Sequence, residues 1–262
     1  MPAFVDPTGH RIYLDHFPAR IVSLVPSQTE LLYDLGLDES VIGITKFCVH
    51  PDKWFHTKTR VGGTKQLHLE IIHQLQPDLV IANREENVKE QIQELQQHYP
   101  VWTSDVHDIP SALQMISSIG EMVDKEARAK EWVDRIETEF KNLIPLPAIP
   151  AAYLIWQNPF MTVGSDTFIH AMMEKAGLIN IFQERQRYPE ISIEDLKVNN
   201  CKLLLLSSEP FPFQQKHIDE LMPQLPGIQI KLVDGELFSW YGSRMVRYPS
   251  YMQTLKIDKS EK

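Results

Sequence analysis

Short apolar runs recur along the chain, each followed by a polar turn and then by a helical pattern. In the first half they cover 21–25, 41–45, 79–82 and 101–103; in the second, 151–156, 203–206 and 230–233. The runs are unbroken rather than alternating, and an unbroken run marks a strand covered on both faces, as in a parallel sheet. The segments 28–36, 68–75, 87–97, 167–176, 193–199, 214–222 and 243–255 read as helices. Strand–helix–strand repetition in each half predicts right-handed crossovers and a parallel sheet in each.

Between the halves, apolar residues fall at Leu113, Ile116, Ile119, Val123, Ala127, Val133, Ile136 and Phe140, mostly three or four apart. This spacing predicts one long helix. Asp108 and Pro110 suit its start, and the PLPAIP stretch at 145–150 ends it, because proline cannot continue a helix. About 30 residues at ~1.5 Å each span ~45 Å, more than one small domain needs. A long surface helix on a single domain would show the same spacing. The strand–helix pattern restarts directly after it, however, which favours two lobes. The expected fold is α/β: an N-terminal α/β lobe over 1–108, a linker helix over 109–145 and a C-terminal α/β lobe over 146–262, each lobe on a parallel sheet and the two joined by a single long α-helix.

Acidic residues outnumber basic ones, 35 to 26, for a formal charge of −9. Such a surface repels nucleic acid and anionic lipid, so neither is an expected partner. The two cysteines, Cys48 and Cys201, make no disulfide scaffold and stand in no zinc-finger spacing. The first ten residues have neither a basic region nor an apolar core of signal-peptide type, and no run reaches the ~18 residues of a membrane span. The sequence as it stands reads as cytoplasmic; a trimmed upstream leader would make it periplasmic. The polar tail at 256–262 reads as frayed.

In parallel α/β sheets ligands bind beyond the carboxyl ends of the strands, so the loops after each run hold the candidates. After the first run come Pro26 and Ser27. Ser27 with Glu30 fits a capping box, and the helix start it caps would offer amides to an anionic group. After the second come Phe47, Cys48 and His50. Cys48 and His50 are two apart and share a side in extended chain. They suit either a transition metal or a corrinoid cobalt, or else a buried cysteine beside a hydrogen-bonded histidine. The Gly62-Gly63-Thr64-Lys65 stretch has the wrong order for a phosphate loop and reads as a turn. After the third run, Asn83 and Glu86 fit a cap with its acid, while Glu85 has no such duty and faces either ligand or solvent.

The second half repeats the theme with aromatics. Trp156 and Phe160 follow one strand, Phe211 and Phe213 another, Trp240 and Tyr241 a third. Three aromatic pairs in loops rich in Pro or Gly suit a large, flat, partly apolar ligand. Arg244 reads as the start of the last helix, where a cation gains nothing from the helix dipole. That points to an acidic ligand group or to Glu85 as its partner, or else to a surface arginine with neither.

The segments RIVSLVPSQTELLYDLGL (20–37), LQPDLVIA (75–82) and NPFMTVGSDTF (158–168) resemble the class III periplasmic-binding-protein family, the helical-backbone metal receptors serving iron-siderophore, haem and vitamin B12 importers. The match runs over nearly the whole chain, and within the family the sequence resembles the vitamin B12-binding branch. The WYGSR and EPFPF segments resemble a leaderless subgroup. The resemblance implies two Rossmann-like lobes on a rigid helix with ligand between them. It also implies a monomer that requires no cofactor and carries a corrinoid, an iron chelate or a transition metal as ligand. B12 binders carry Trp where this chain has Asn83. Importers of the family dock on an ABC permease through one acid at the tip of each lobe; this chain has Lys89 and Glu90 near the first such position and no acid at 240–244. The expected function is a small-molecule binding protein. The alternative is a cytoplasmic enzyme or chaperone acting on a metal-containing cofactor. The chain carries no G-x-S-x-G, G-x-G-x-x-G, Walker or H-E-x-x-H motif, which argues against the enzyme.

Overall fold

The computed structural model describes residues 3–257, so the last five residues of the tail expected to fray lie outside the described residues. The chain forms two compact units. The first comprises the residues up to Val106, Pro110–Glu137 and Tyr241–Met245; the second comprises His107–Ile109, Thr138–Trp240 and the residues from Val246 onward.

In the first unit, β1 (Ala3–Val5) and β2 (Arg11–Tyr13) form an antiparallel hairpin. There follow β3 (Ile21–Ser23), α1 (Pro26–Asp34), β4 (Val41–Ile44), α2 (Asp52–Thr57), β5 (Thr59–Arg60), α3 (Leu69–Leu75), β6 (Leu79–Asn83), α4 (Lys89–Gln96) and β7 (Val101–Ser104). The strands β3 to β7 make one parallel sheet in the order β5-β4-β3-β6-β7. β6 is buried at every position, because helices cover both faces of the sheet. Val22, Leu24, Val80 and Ala82 pack with Ile72 of α3 and with Ile92 and Leu95 of α4. Each large apolar side chain buried in this way contributes roughly 1.5–3 kcal/mol. The hairpin is tied down by Asp6, whose Oδ1 accepts from the Thr8 and His10 amides and whose Oδ2 accepts from the Thr103 amide of β7.

The long helix predicted over 109–145 is two helices, α5 (Ile109–Met122) and α6 (Glu126–Asn142). The break is a left-handed residue, Asp124, at φ 56°. The Lys125 amide donates back to the Gly120 carbonyl at 2.8 Å, the six-to-one bond of a Schellman end. Glycine usually marks that position; an aspartate stands there, and the apolar spacing runs on across it, which hid the break. The frame shifts with it: Ala127, expected on the apolar face, is exposed and Ala129 is buried. Gly120 makes the close approach of the two helices possible, since a Cβ there would sit 2.3 Å from the Ala129 Cβ.

The second unit holds β8 (Ile149–Leu154), β9 (Phe160–Met161), α7 (Phe168–Lys175), β10 (Leu178–Asn180), β11 (Glu190–Ile191), α8 (Ile193–Val198), β12 (Leu203–Ser207), α9 (Gln215–Leu221), β13 (Gln229–Val233), α10 (Gly235–Ser239) and α11 (Tyr248–Thr254). Its parallel sheet runs β10-β8-β12-β13, and β9 pairs with β11 separately. Ser192 and Asp195 close a capping box on α8; hydrogen bonds from the Ser192 amide and hydroxyl hold the Asp195 carboxyl below its usual range. The helix predicted over 243–255 is a 3₁₀ turn, Ser243–Arg247, followed by α11.

Gly120→Ala should destabilise the protein by about 1–3 kcal/mol through overpacking. Ala129→Gly should relieve that strain when added to it, although alone it costs about 1 kcal/mol of helix propensity. Urea unfolding of the two single variants and the double variant measures the coupling. Additive effects would mean that the two helices do not meet there.

Candidate functional site

Open parallel sheets take ligands at the carboxyl ends of their strands, where the strand order reverses. In the first unit that point lies between β3 and β6, in the second between β8 and β12.

In the first unit α1 begins directly after β3. Pro26 occupies its first turn, and Val25 is the cap residue, with no side-chain hydrogen bond. Proline fits the first helical position because the amide it lacks has no partner there anyway. The capping box expected of Ser27 and Glu30 is therefore absent: Ser27 is already inside the helix. Glu30 instead accepts two hydrogen bonds from Arg244, Nε to Oε2 at 2.7 Å and Nη2 to Oε1 at 2.8 Å. Both side chains are less than a tenth exposed. Arg244 lies in the 3₁₀ turn rather than at the start of an α-helix, and it pairs with Glu30, a partner that its local sequence does not suggest. Gly242, at φ 124°, brings this segment onto α1, since a Cβ there would lie 3.3 Å from the Ser27 carbonyl oxygen.

The loop after β6 is also not the expected cap. The Asn83 Oδ1 accepts from the Glu85 and Glu86 amides at 2.8 and 3.0 Å, an Asx turn, and α4 starts only at Lys89. Asn87 binds three loops at once. Its Nδ2 donates to the Leu24 and Thr64 carbonyls at 3.4 and 3.1 Å, and its Oδ1 accepts from the Asn83 amide at 2.9 Å. The Glu85 side chain is half-buried, and its carbonyl oxygen accepts from the Lys65 ammonium.

In the loop after β4, Cys48 is fully buried with its sulfur 3.1 Å from the Thr29 hydroxyl and 3.2 Å from that of Thr45. Burial pushes its thiol up, although those two hydroxyls oppose the shift. A metal needs the thiolate, so the geometry places Cys48 in the core rather than in a metal site shared with His50. His50 is half-buried and precedes a cis peptide bond to Pro51. Among the described residues no three His, Cys, Asp or Glu side chains are grouped to hold a metal ion. Phe47 is half-exposed and has the Lys46 ammonium 5.1 Å from its ring centroid.

In the second unit Trp156 follows β8 and is 41% exposed. Its ring meets the edge of Phe211 at 5.7 Å, and the Phe211 amide donates to the Ile155 carbonyl at 3.3 Å, joining the two loops of the switch point. Phe211 in turn meets Phe213 at 4.7 Å, and both meet His217 at 5.4 Å. His217 accepts the Gln214 amide on Nδ1 at 2.8 Å. Phe160 and Phe211 pack against the core of this unit, and Phe213 is inside it. The aromatic residues expected to act together thus part company. Trp156, Phe160 and Phe211 stay at the switch point. Trp240 is buried in the second unit, and Tyr241 is buried in the first.

One residue here escaped the sequence reading. Glu209, half-buried after β12, accepts on Oε1 from the Trp240 indole at 2.9 Å and from the Ser239 hydroxyl at 2.7 Å. Burial raises its carboxyl above the usual range. The Ser239 hydrogen bond opposes this, Glu236 adds to the rise, the Trp240 hydrogen bond opposes it and Asp234 adds again. The available signal was an acid set between a strand end and Pro210.

The sequence profile described as periplasmic binding protein matches residues 21–229. The chain belongs to that family. Its members are binding proteins, not enzymes. A vitamin B12-binding protein of Vibrio cholerae is 25% identical over 201 residues, covering 73% of this chain and 71% of its own. The crystal structure of the periplasmic vitamin B12-binding protein BtuF of Vibrio cholerae superposes with a TM-score of 0.77 at 18% identity, covering 90% of this chain and 97% of its own. That of the periplasmic heme-binding protein HutB from the same organism also gives 0.77, at 20% identity, covering 91% and 99%. At such identities the structures establish the fold. Among the described residues no helix is long and apolar enough to cross a membrane.

Arg244→Ala should destabilise the protein by about 3–5 kcal/mol, because it leaves the Glu30 charge buried and unpaired. Glu30→Leu combined with Arg244→Met should cost far less than the sum of the single changes. Chemical denaturation of all four proteins tests this, and additivity would refute a buried pair. Glu209 gives a second test through pH. Its raised carboxyl contributes stability that is full below the ordinary value of about 4.3 and is lost as pH rises through the folded-state value. Glu209→Gln cannot ionise, so it should gain stability relative to wild type as pH rises from ~4 to ~7. A stability difference that stays flat with pH would place the carboxyl in ordinary solvent.

Proposed function

We propose that this protein is a solute-binding protein that holds a flat, metal-containing ligand, a corrinoid in preference to haem or an iron chelate, and passes it on chemically unchanged. The observation that carries the reading is the exposed Trp156 set edge-on against Phe211 at the switch point of the second unit. An exposed indole beside a second ring gives a flat ligand an apolar surface at low entropic cost. Membership of the binding-protein family supports a carrier, and the Vibrio cholerae relative's name favours the corrinoid. Phe160, in the same unit, is the further contact candidate. Cys48 falls outside the set because its sulfur has no open side. The receiver of the ligand is the permease of an ABC importer, which places the protein in the periplasm, the compartment named for the relative of known structure.

Cyanocobalamin should quench the tryptophan fluorescence, and Trp156→Ala should weaken its binding at least about tenfold, or ~1.4 kcal/mol. Trp132 lies on α6 with the Arg135 guanidinium 4.4 Å from its ring centroid, so Trp132→Ala should leave affinity within about twofold. Mass spectrometry should recover the ligand unaltered. A ligand returned changed, or a larger loss for Trp132→Ala than for Trp156→Ala in folded protein, would sink the reading.

A further inference from the structure

We propose that Glu209 sets the chemical class of ligand at the switch point of the second unit: it accepts an N–H donor of the ligand and so selects flat ligands bearing amides or amines over those bearing carboxylates. This rests on the carrier reading above and deepens it.

The carboxyl group is held firmly in place. Glu209 stands two residues beyond β12, the strand that flanks the point where the sheet order reverses. The Ser207 hydroxyl donates to its carbonyl at 2.5 Å. The Ser208 amide donates to the Val233 carbonyl at 3.0 Å, and the Ser208 hydroxyl accepts from the Gly235 amide at 2.9 Å. Gly235 makes room for it: a Cβ there would lie 2.4 Å from the Ser207 Oγ and 2.6 Å from the Glu209 Cγ.

The hydrogen bonds to the carboxyl are one-sided. Ser239 and Trp240 both donate to Oε1. An ionised carboxylate can accept on both oxygens, and Oε2 accepts from no described residue. Half-buried, it has lost part of its water, so a donor brought by a ligand restores what burial removed. The same loop continues into Phe211, which meets the exposed Trp156. The acceptor and the aromatic wall thus belong to the same post-β12 loop, two residues apart along the chain.

The surrounding charge acts in the same direction. Asp234 and Glu236 both push the Glu209 carboxyl upward by repulsion, and Asp234 is committed to capping α10 through the Glu236 amide at 3.1 Å. A ligand carboxylate meets like charge there, whereas an amide N–H or an ammonium does not.

The test uses the whole protein, cyanocobalamin, the monocarboxylic acid formed when one of its side-chain amides is hydrolysed, and haemin. Wild type should bind the amide form at least about tenfold more tightly than the acid. Glu209→Gln keeps an oxygen that can accept from Trp240 and Ser239, so its melting temperature and near-ultraviolet circular dichroism should report an intact fold, while its preference for the amide falls to within about threefold. If the folded Glu209→Gln protein keeps the full preference, Glu209 only braces Trp240 and the proposal is overturned. If wild type binds haemin, with its two carboxylates, more tightly than cyanocobalamin, the proposal is also overturned together with the preference for a corrinoid, while the reading as a carrier of a flat metal-containing ligand stands. If wild type binds neither, the carrier reading fails and takes this one with it.

Discussion

Glu30 and Arg244 stand 214 positions apart and meet as a bidentate pair under less than a tenth exposure. Taking two charges out of water costs several kcal/mol each, and the attraction between them restores this only when the geometry is good. Here both carboxylate oxygens and two guanidinium nitrogens are matched. A pair of apolar side chains would do as well for net stability. What the ion pair adds is register, because the guanidinium fork matches the carboxylate in one orientation. That register lays Gly242 against the first turn of α1 and brings 241–245 into the first unit.

The two sheets present different chemistry at their carboxyl ends. In the first unit the edge is polar and cross-linked. Asn87 holds three loops, the Ser104 hydroxyl donates to the Ala82 carbonyl, and Asn83 donates to Ser104. Such a network fixes loop positions and leaves Phe47 and Val49 as exposed apolar side chains in the loop after β4. In the second unit the edge is aromatic, with a single carboxylate set into it. Ring and carboxylate thus belong to one loop system. The family shows that this scaffold binds solutes; which solute follows from the side chains at these edges.

The central parallel strands were legible because burial on both faces leaves unbroken apolar runs: 79–82 and 203–206 appear as β6 and β12 within one residue, and 21–25 contains the shorter β3, whose apolar run continues past the strand. Strands of two or three residues, such as β5 and β10, carry no period that could be read. The helix break at Asp124 was invisible for a different reason, since the apolar spacing ran across it. At α1 two rules competed, and Pro26 as a first helical residue won over Ser27 as a cap. The sequence paired Trp156 with Phe160 and Phe211 with Phe213; the contact of Trp156 with Phe211 across two loops is long-range and shows only in the fold. Cys48 was a poor metal candidate for a reason only burial reveals. The partner of Arg244 lay 214 residues away, beyond any local pattern. Glu209 was missed because a lone acid after a strand looks like solvent-facing polarity until its hydrogen bonds are seen.

The interleaving of the two units along the chain has a consequence for synthesis. Every residue of the first unit up to Glu137 emerges from the ribosome well before Tyr241–Met245 do. About 100 residues separate the two, which at ~5–20 residues per second is a delay on the order of 5–20 s. During that delay the nascent first unit holds Glu30 without its cation and α1 without the strip that covers its first turn. The domain that begins first is therefore finished almost last, and a ribosome stalled between 137 and 241 carries a half-sealed sheet, a natural substrate for chaperones.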